Sequence, residues 1–167
     1  MAIENLQTNH ARTNSLIYPY TANSVHVVKG VLEMSAAATV ASTYDFGLIP
    51  PDAIICYYAS GFSSDDLATT GSPTLSIGLF GENGSLSDLG YSDDDDCIRS
   101  GIALSSANSS TRLIGDIANV NKPVWQLISG VSLSKPVRGP LRVKGTLVAA
   151  DCDTGGTLLL ELVYMIK

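Results

Sequence analysis

Apolar residues along this chain recur at every second position in short runs, and each run ends in glycine, serine, aspartate or proline. In TLLLELVYMI (157–166), Leu158, Leu160, Leu162, Tyr164 and Ile166 share one side. In VHVVKGVLEM (25–34), His26, Val28, Gly30, Leu32 and Met34 share one side, while Val25, Val27, Lys29, Val31 and Glu33 take the other. A period of two is the mark of a strand, whose successive side chains point to opposite faces of a sheet. The pattern continues in TVASTYDFGLI (39–49) through Val40, Tyr44, Phe46 and Leu48. Pro50 and Pro51 then end it, because proline has no N–H to give to a ladder. AIICYYASGF (53–62), PTLSIGLF (73–80), TRLIGDI (111–117), PVWQLISGVSL (123–133) and LRVKGTLVAA (141–150) also read as strands, and CIRSGIALSS (97–106) is open between strand and short helix.

Roughly eight strands with few helices leave a sandwich, a jelly roll or a barrel as the ways to manage sheet edges. Long loops between some strands favour a jelly-roll-like antiparallel β-sandwich over an up-and-down barrel, which would use tight hairpins. At 167 residues the chain fits one domain, placed at 24–167. Residues 1–23 are polar and aperiodic and read as an extended N-terminal arm. The DTGG of DCDTGG (151–156) has hairpin-turn chemistry, so the last two strands are expected to form a C-terminal hairpin. GENGSLSDLGYSDDDD (81–96) reads as a long surface loop.

Charge and cysteine usage narrow the function classes. Ten Lys+Arg against 16 Asp+Glu give a net charge of −6, which repels phosphate backbones, so nucleic acid is not an expected partner. No apolar run approaches the ~20 residues of a membrane-spanning helix, and MAIENLQTNHARTNS lacks the basic and apolar segments of a secretory signal. The expectation is a protein made in a cytoplasm that stays soluble until it assembles on something, without a membrane partner. Cys56, Cys97 and Cys152 are far apart, odd in number and free of any CxxC spacing, and they read as reduced thiols.

Catalytic chemistry has little to stand on. The two histidines are His10 in the arm and His26 in a predicted strand, and nothing follows GxSxG or a catalytic-cysteine pattern. His26 reads as a packed or edge histidine, and Trp125 as a core residue. GENG and DTGG are turn glycines without the Lys-Ser/Thr pair of a phosphate loop, so no cofactor is expected. Asp93, Asp94, Asp95 and Asp96 could supply oxygens to a calcium ion, but the EF-hand spacing is missing, and no metal is expected. A glycosidase would need two carboxyl groups facing across a cleft, whereas these acids cluster in one segment. The expected activity is binding. Ile17, Tyr18 and Tyr20 in the arm are candidate anchors for a partner's pocket, and Asp93 to Asp96 are candidates to meet its basic residues.

The order of pieces also resembles a known family. Phe46-Gly47-Leu48-Ile49-Pro50, Leu75-Ser76-Ile77-Gly78-Leu79, and Gly155-Gly156-Thr157-Leu158 running on to Tyr164 resemble corresponding phrases in small virion proteins of tailed phages. The likeness extends over most of residues 25–167, and its motifs are strand and turn grammar with no catalytic signature. It implies a jelly-roll head decoration (cement) protein, often a homotrimer, that sits on the capsid surface and bridges neighbouring major capsid protein subunits. A tail, head-fibre or receptor-binding module of the same fold is the alternative. The four-aspartate segment departs from the family pattern and leaves its contacts open.

Overall fold

The computed structural model of this chain describes residues 3, 5–7, 24–87, 91–113, 119–133 and 137–166. These residues form ten strands: β1 (Asn5–Gln7), β2 (Val25–Met34), β3 (Thr43–Ile49), β4 (Ala53–Ile55), β5 (Gly61–Ser64), β6 (Thr74–Gly81), β7 (Asp94–Ala103), β8 (Asn108–Arg112), β9 (Leu141–Leu147) and β10 (Gly156–Ile166). They make two five-stranded sheets. The first has the order β1-β3-β9-β6-β7, and the second has the order β2-β10-β5-β8 with β4 also on β10. This is the all-β, jelly-roll-like sandwich expected from the strand pattern. Pairing is antiparallel except between β1 and β3, which run parallel over Asn5–Gln7, within the segment read as an arm.

The core lies between the sheets and is filled by the inward positions of both. Val28, Leu32 and Met34 of β2 and Leu158, Leu160, Leu162 and Tyr164 of β10 meet Tyr44 and Phe46 of β3, Leu75, Ile77 and Leu79 of β6, and Val143 and Leu147 of β9. Each such side chain contributes about 1.5–3 kcal/mol of transfer free energy, so the period-two stripes are also the main source of stability. β10 organises the second sheet. On one side it pairs with β2 without interruption, from Gly156 opposite Met34 to Met165 opposite Val25. On the other it takes β5 at Leu158–Glu161 and β4 at Tyr164–Ile166.

Several local expectations are corrected. The run 53–62 is two strands, because the chain turns at Cys56–Ser60 between its two contacts with β10. Ser60 fills the gap in the ladder: its hydroxyl accepts from Val163 N–H at 2.9 Å and donates to Cys56 O at 3.0 Å. The segment 123–133 is not a strand. Pro123 leads into a single 3-10 turn at Val124–Gln126, and the buried residues Val124, Trp125, Leu127 and Ile128 follow a helical spacing. Trp125 is in the core as expected. The segment 97–106 resolves as strand, and β8 starts before the predicted 111–117.

In β3 a bulge at Phe46 lets Asp45 face Lys144 and Gly47 face Val143. Gly47 has φ +144° and donates to Asp45 Oδ1 at 3.2 Å. The phase of the strand therefore slips, and Ile49 joins the core cluster where Leu48 was expected.

The C-terminal hairpin is also overturned. β9 is a central strand of the first sheet and β10 a central strand of the second, so residues 148–155 cross between the sheets. Side-chain oxygens pin this crossover. Asp151 Oδ1 accepts from Val40 N–H at 2.8 Å. Asp153 accepts four bonds, from the backbone N–H and the hydroxyl of both Thr69 and Thr70. Those four donors pull the pKa of the exposed Asp153 carboxyl down to about 2.

Candidate interaction surface

The alternation that fills the core with one side of β2 leaves the other side in water, and that side is not polar. Val25, Val27 and Val31 are 62%, 46% and 53% exposed. Register sets them against β10 in a fixed series: Val25 with Met165, Val27 with Val163, Lys29 with Glu161, Val31 with Leu159, Glu33 with Thr157. The two polar pairs are bonded, Lys29 Nζ to Glu161 Oε1 at 2.5 Å and Thr157 Oγ1 to Glu33 Oε1 at 3.0 Å. The outer face of this ladder is thus apolar pairs interrupted by one ion pair. An exposed ion pair of this kind stabilises a chain by under about 1 kcal/mol, so it adds little to the fold.

At its Val25 end this face runs into a groove of about 190 Å³ lined by Ile54, Tyr58, Val120 and Met165. Tyr58 is 73% exposed and Val120 also faces solvent. The neighbouring Tyr57 turns inward, and its hydroxyl has no hydrogen-bond partner among the described residues. Burial, with a smaller contribution from Cys97, pushes that phenol up to about 12. Contiguous exposed apolar surface of this kind is a candidate contact surface.

Of the residues singled out from the sequence, Ile17, Tyr18 and Tyr20 lie outside the described residues. The acidic run is described: Asp93 lies in the loop before β7, and Asp94, Asp95 and Asp96 open the strand. β7 is an edge strand whose register against β6 jumps, with Ile77 facing Arg99 and Leu79 facing Asp94. The backbone of Asp94 and Asp95 lies against Gly78, which makes room for it, while Ile98 of the same stretch is in the core. A Cβ on Gly78 would lie 2.0 Å from Asp94 O. Asp93 Oδ1 accepts from Leu86 N–H at 2.5 Å and Asp94 Oδ2 from Ser129 N–H at 2.6 Å, so these two carboxylates tie down backbone. Asp95 and Asp96 face solvent. The Asp96 carboxyl is pushed up by partial burial of its charge, by a hydrogen bond with Asp94 and by repulsion from Asp94 and Asp95.

The same outer face carries a buried ion pair, Arg142 Nη1 to Asp45 Oδ2 at 2.8 Å. Arg142 Nε also donates to Glu82 O at 2.5 Å. Burying such a pair is tolerable because each charge meets a partner. Lys144 sits 4.8 Å over the Phe80 ring, and burial lowers its pKa despite Asp45 nearby.

For chemistry beyond binding the described residues offer little. His26 stacks on Tyr164 at 5.4 Å, with Ser24 Oγ 2.6 Å from its Nε2. No group of three or more His, Cys, Asp or Glu among the described residues is placed to hold a metal ion. Cys56, Cys97 and Cys152 are not joined in disulfides. The apolar outer face of β2 was legible as a pattern, because VHVVKGVLEM is apolar at odd as well as even positions, and that doubling is the signal of a strand apolar on both faces.

No family model and no curated protein matches the chain. Solved structures do. The fold superposes on a chain in the capsid of Ralstonia phage GP4 with a TM-score of 0.65 and 18% identity, covering 97% of this chain and 98% of that one. It also superposes on a chain in the capsid asymmetric unit of cyanophage Pam1 with a TM-score of 0.53 and 17% identity, covering 92% and 94%. The chain therefore has, nearly end to end, the fold of chains that occur in two phage capsids.

Proposed function

We propose that this chain is a decoration (cement) protein of a phage head, which binds the major capsid protein lattice from outside and stabilises it through protein contacts alone. The observation that carries this reading is the end-to-end fold likeness to a chain of the Ralstonia phage GP4 capsid, 97% of one chain on 98% of the other. The exposed valines of β2 and the adjoining Tyr58 groove support it by supplying apolar surface for a protein partner. In this role the chain has no catalytic step. It is made in the host cytoplasm and ends on the capsid surface.

The mechanism is linkage: a binder that contacts two or more capsid subunits adds free energy only to the assembled lattice. Assembly as a homotrimer multiplies modest contacts, because once one subunit is engaged the others bind at high effective concentration. Ile17, Tyr18 and Tyr20 act as apolar anchors in this scheme, and Asp95 and Asp96 are the carboxylates that face solvent and can meet basic capsid residues.

The test is co-sedimentation of the purified chain with emptied heads that lack it, followed by thermal disruption of the heads. Binding that raises the disruption temperature is the expected result. Failure to bind heads, with binding to tails or host cells instead, would replace this reading by a tail or receptor-binding one.

A further inference from the structure

Among the described residues the strands that form sheet edges are not alike, and β4, three residues long on β10, is one of them. β1 is three residues long, β8 is five with a register shift against β5, and β7 is broken by its acidic bulge. Short, bulged or charged edges resist pairing with another strand. β2 is neither short nor bulged: it is ten residues long and pairs with β10 without a shift, and its two exposed charges, Lys29 and Glu33, are of opposite sign. Among the described residues, Val27–Met34 have no backbone partner except β10. A long regular edge with apolar side chains in water is a template for strand addition.

The side chains on that edge say which strand fits. From the outer face we infer that β2 pairs antiparallel with β2 of a second copy of this chain, about a two-fold axis through Val31. In that register Lys29 faces Glu33 of the second copy and Glu33 faces its Lys29, with the two Val31 side chains in contact at the centre. Slipping the pairing by one residue would set outward positions against inward ones. Slipping it by two would set Lys29 against Val31 or Ser35, and both charge pairs would be lost. The charge order of the strand is therefore self-complementary in one register. Lys29 already holds Glu161 of its own chain, and an ammonium with three N–H donors can hold both carboxylates.

This contact does not depend on the virion reading and is two-fold, so if the chain assembles in threes the same edge joins the threes in pairs. Its consequence is a sheet continuous across two copies. The outer valines would then form one apolar band, with Val31 of both copies on the axis and Val27 of each copy beyond the charge pairs.

The experiment compares the full chain with Lys29→Glu, with Glu33→Lys and with the double exchange, by sedimentation equilibrium at low ionic strength. Each single change replaces two attractive cross-strand pairs by two repulsive ones, and association should weaken roughly tenfold or more. The decisive sample is the equimolar mixture of the two single variants. There the Lys29→Glu chain presents carboxylates at both positions, the Glu33→Lys chain presents ammonium groups at both, and every facing pair is attractive again. The mixture and the double exchange should regain the doubled mass of the wild-type chain while each single variant stays at half. Wild type that never doubles, single variants that associate like wild type, or a mixture and a double variant that stay at the single-variant mass would overturn the pairing.

Discussion

The outer faces of the two sheets invert the usual rule for polar and apolar groups. On the first sheet, charges are inside: Asp45 and Arg142 are almost wholly buried, and Asp93 and Asp94 hold backbone N–H groups of neighbouring turns. On the second, valines are outside, at 25, 27 and 31 along β2. The first face ties down most of its charges within one chain, Asp45 on Arg142 and Asp93 and Asp94 on backbone, although the buried Thr146 Oγ1 has no hydrogen-bond partner among the described residues. The second is stable without being complete, because the hydrophobic effect leaves its surface to be covered by something else. On the proposed reading the second face is the main contact surface, and on the first sheet only the acidic start of β7 joins it.

The largest expected effect breaks the first face. Asp45→Ala would leave Arg142 buried without its carboxylate, and urea unfolding should show a loss of about 3–5 kcal/mol. Replacing both partners by apolar residues of similar size should recover most of that, since an ion pair removed as a whole costs far less than half of one. A loss under about 1 kcal/mol for Asp45→Ala would mean that the pair is solvated, and the contrast between the faces would weaken.

How much of this was readable from the chain divides along the same line. β2 and β10 were legible because their positions depend on side-chain period alone, and VHVVKGVLEM alternates in the folded chain as it does on paper. Pairing partners were not legible. LRVKGTLVAA and TLLLELVYMI look like a hairpin because period two says which side faces the core and nothing about which sheet the strand joins. The slip at Phe46 was hidden because it arises from a bulge and a bond between Gly47 and Asp45, not from hydrophobic pattern. The acidic run misled for a related reason: four aspartates read as a solvated loop, yet Gly78 on another strand leaves space for the backbone of Asp94 and Asp95, and three of the four join a sheet. For the contact surface, the doubled valines were in view, but their meaning needed the knowledge that β2 is an edge.

A subtler contrast lies in two exposed carboxyls whose acidities move in opposite directions. Asp153 is held at about 2 by four donors from Thr69 and Thr70. Its charged form is favoured by folding, so its contribution is present above its unfolded value near 4 and is lost as pH falls towards 2. Asp96 is pushed up by burial and by Asp94 and Asp95, so its charged form is disfavoured by folding, and that penalty grows as pH rises through its pKa. Asp153→Asn should therefore lower the unfolding midpoint at pH 7, with the two curves converging as pH approaches 2. Asp96→Asn should raise it at pH 7, with the gain vanishing in acid. Thermal melts between pH 2 and 7 read both, and the same sign for the two variants would remove the distinction between a carboxylate that clamps the crossover and one crowded on the β7 edge.

The smallest expected effect on stability is the most informative about the second face. Val27→Thr and Val31→Thr keep the β-branched shape that a strand favours and exchange one exposed methyl group for a hydroxyl, so each should change unfolding free energy by no more than about 0.5 kcal/mol. A loss above about 2 kcal/mol would place these valines in the folding core of a single chain, and the face would no longer be a contact surface. Near-neutral stability together with weakened association is the combination that separates surface kept for a partner from surface kept for the fold. Only the exposed side of β2 is expected to give it, because Val28, Leu32 and Met34 on the other side of the same strand are closed in the core.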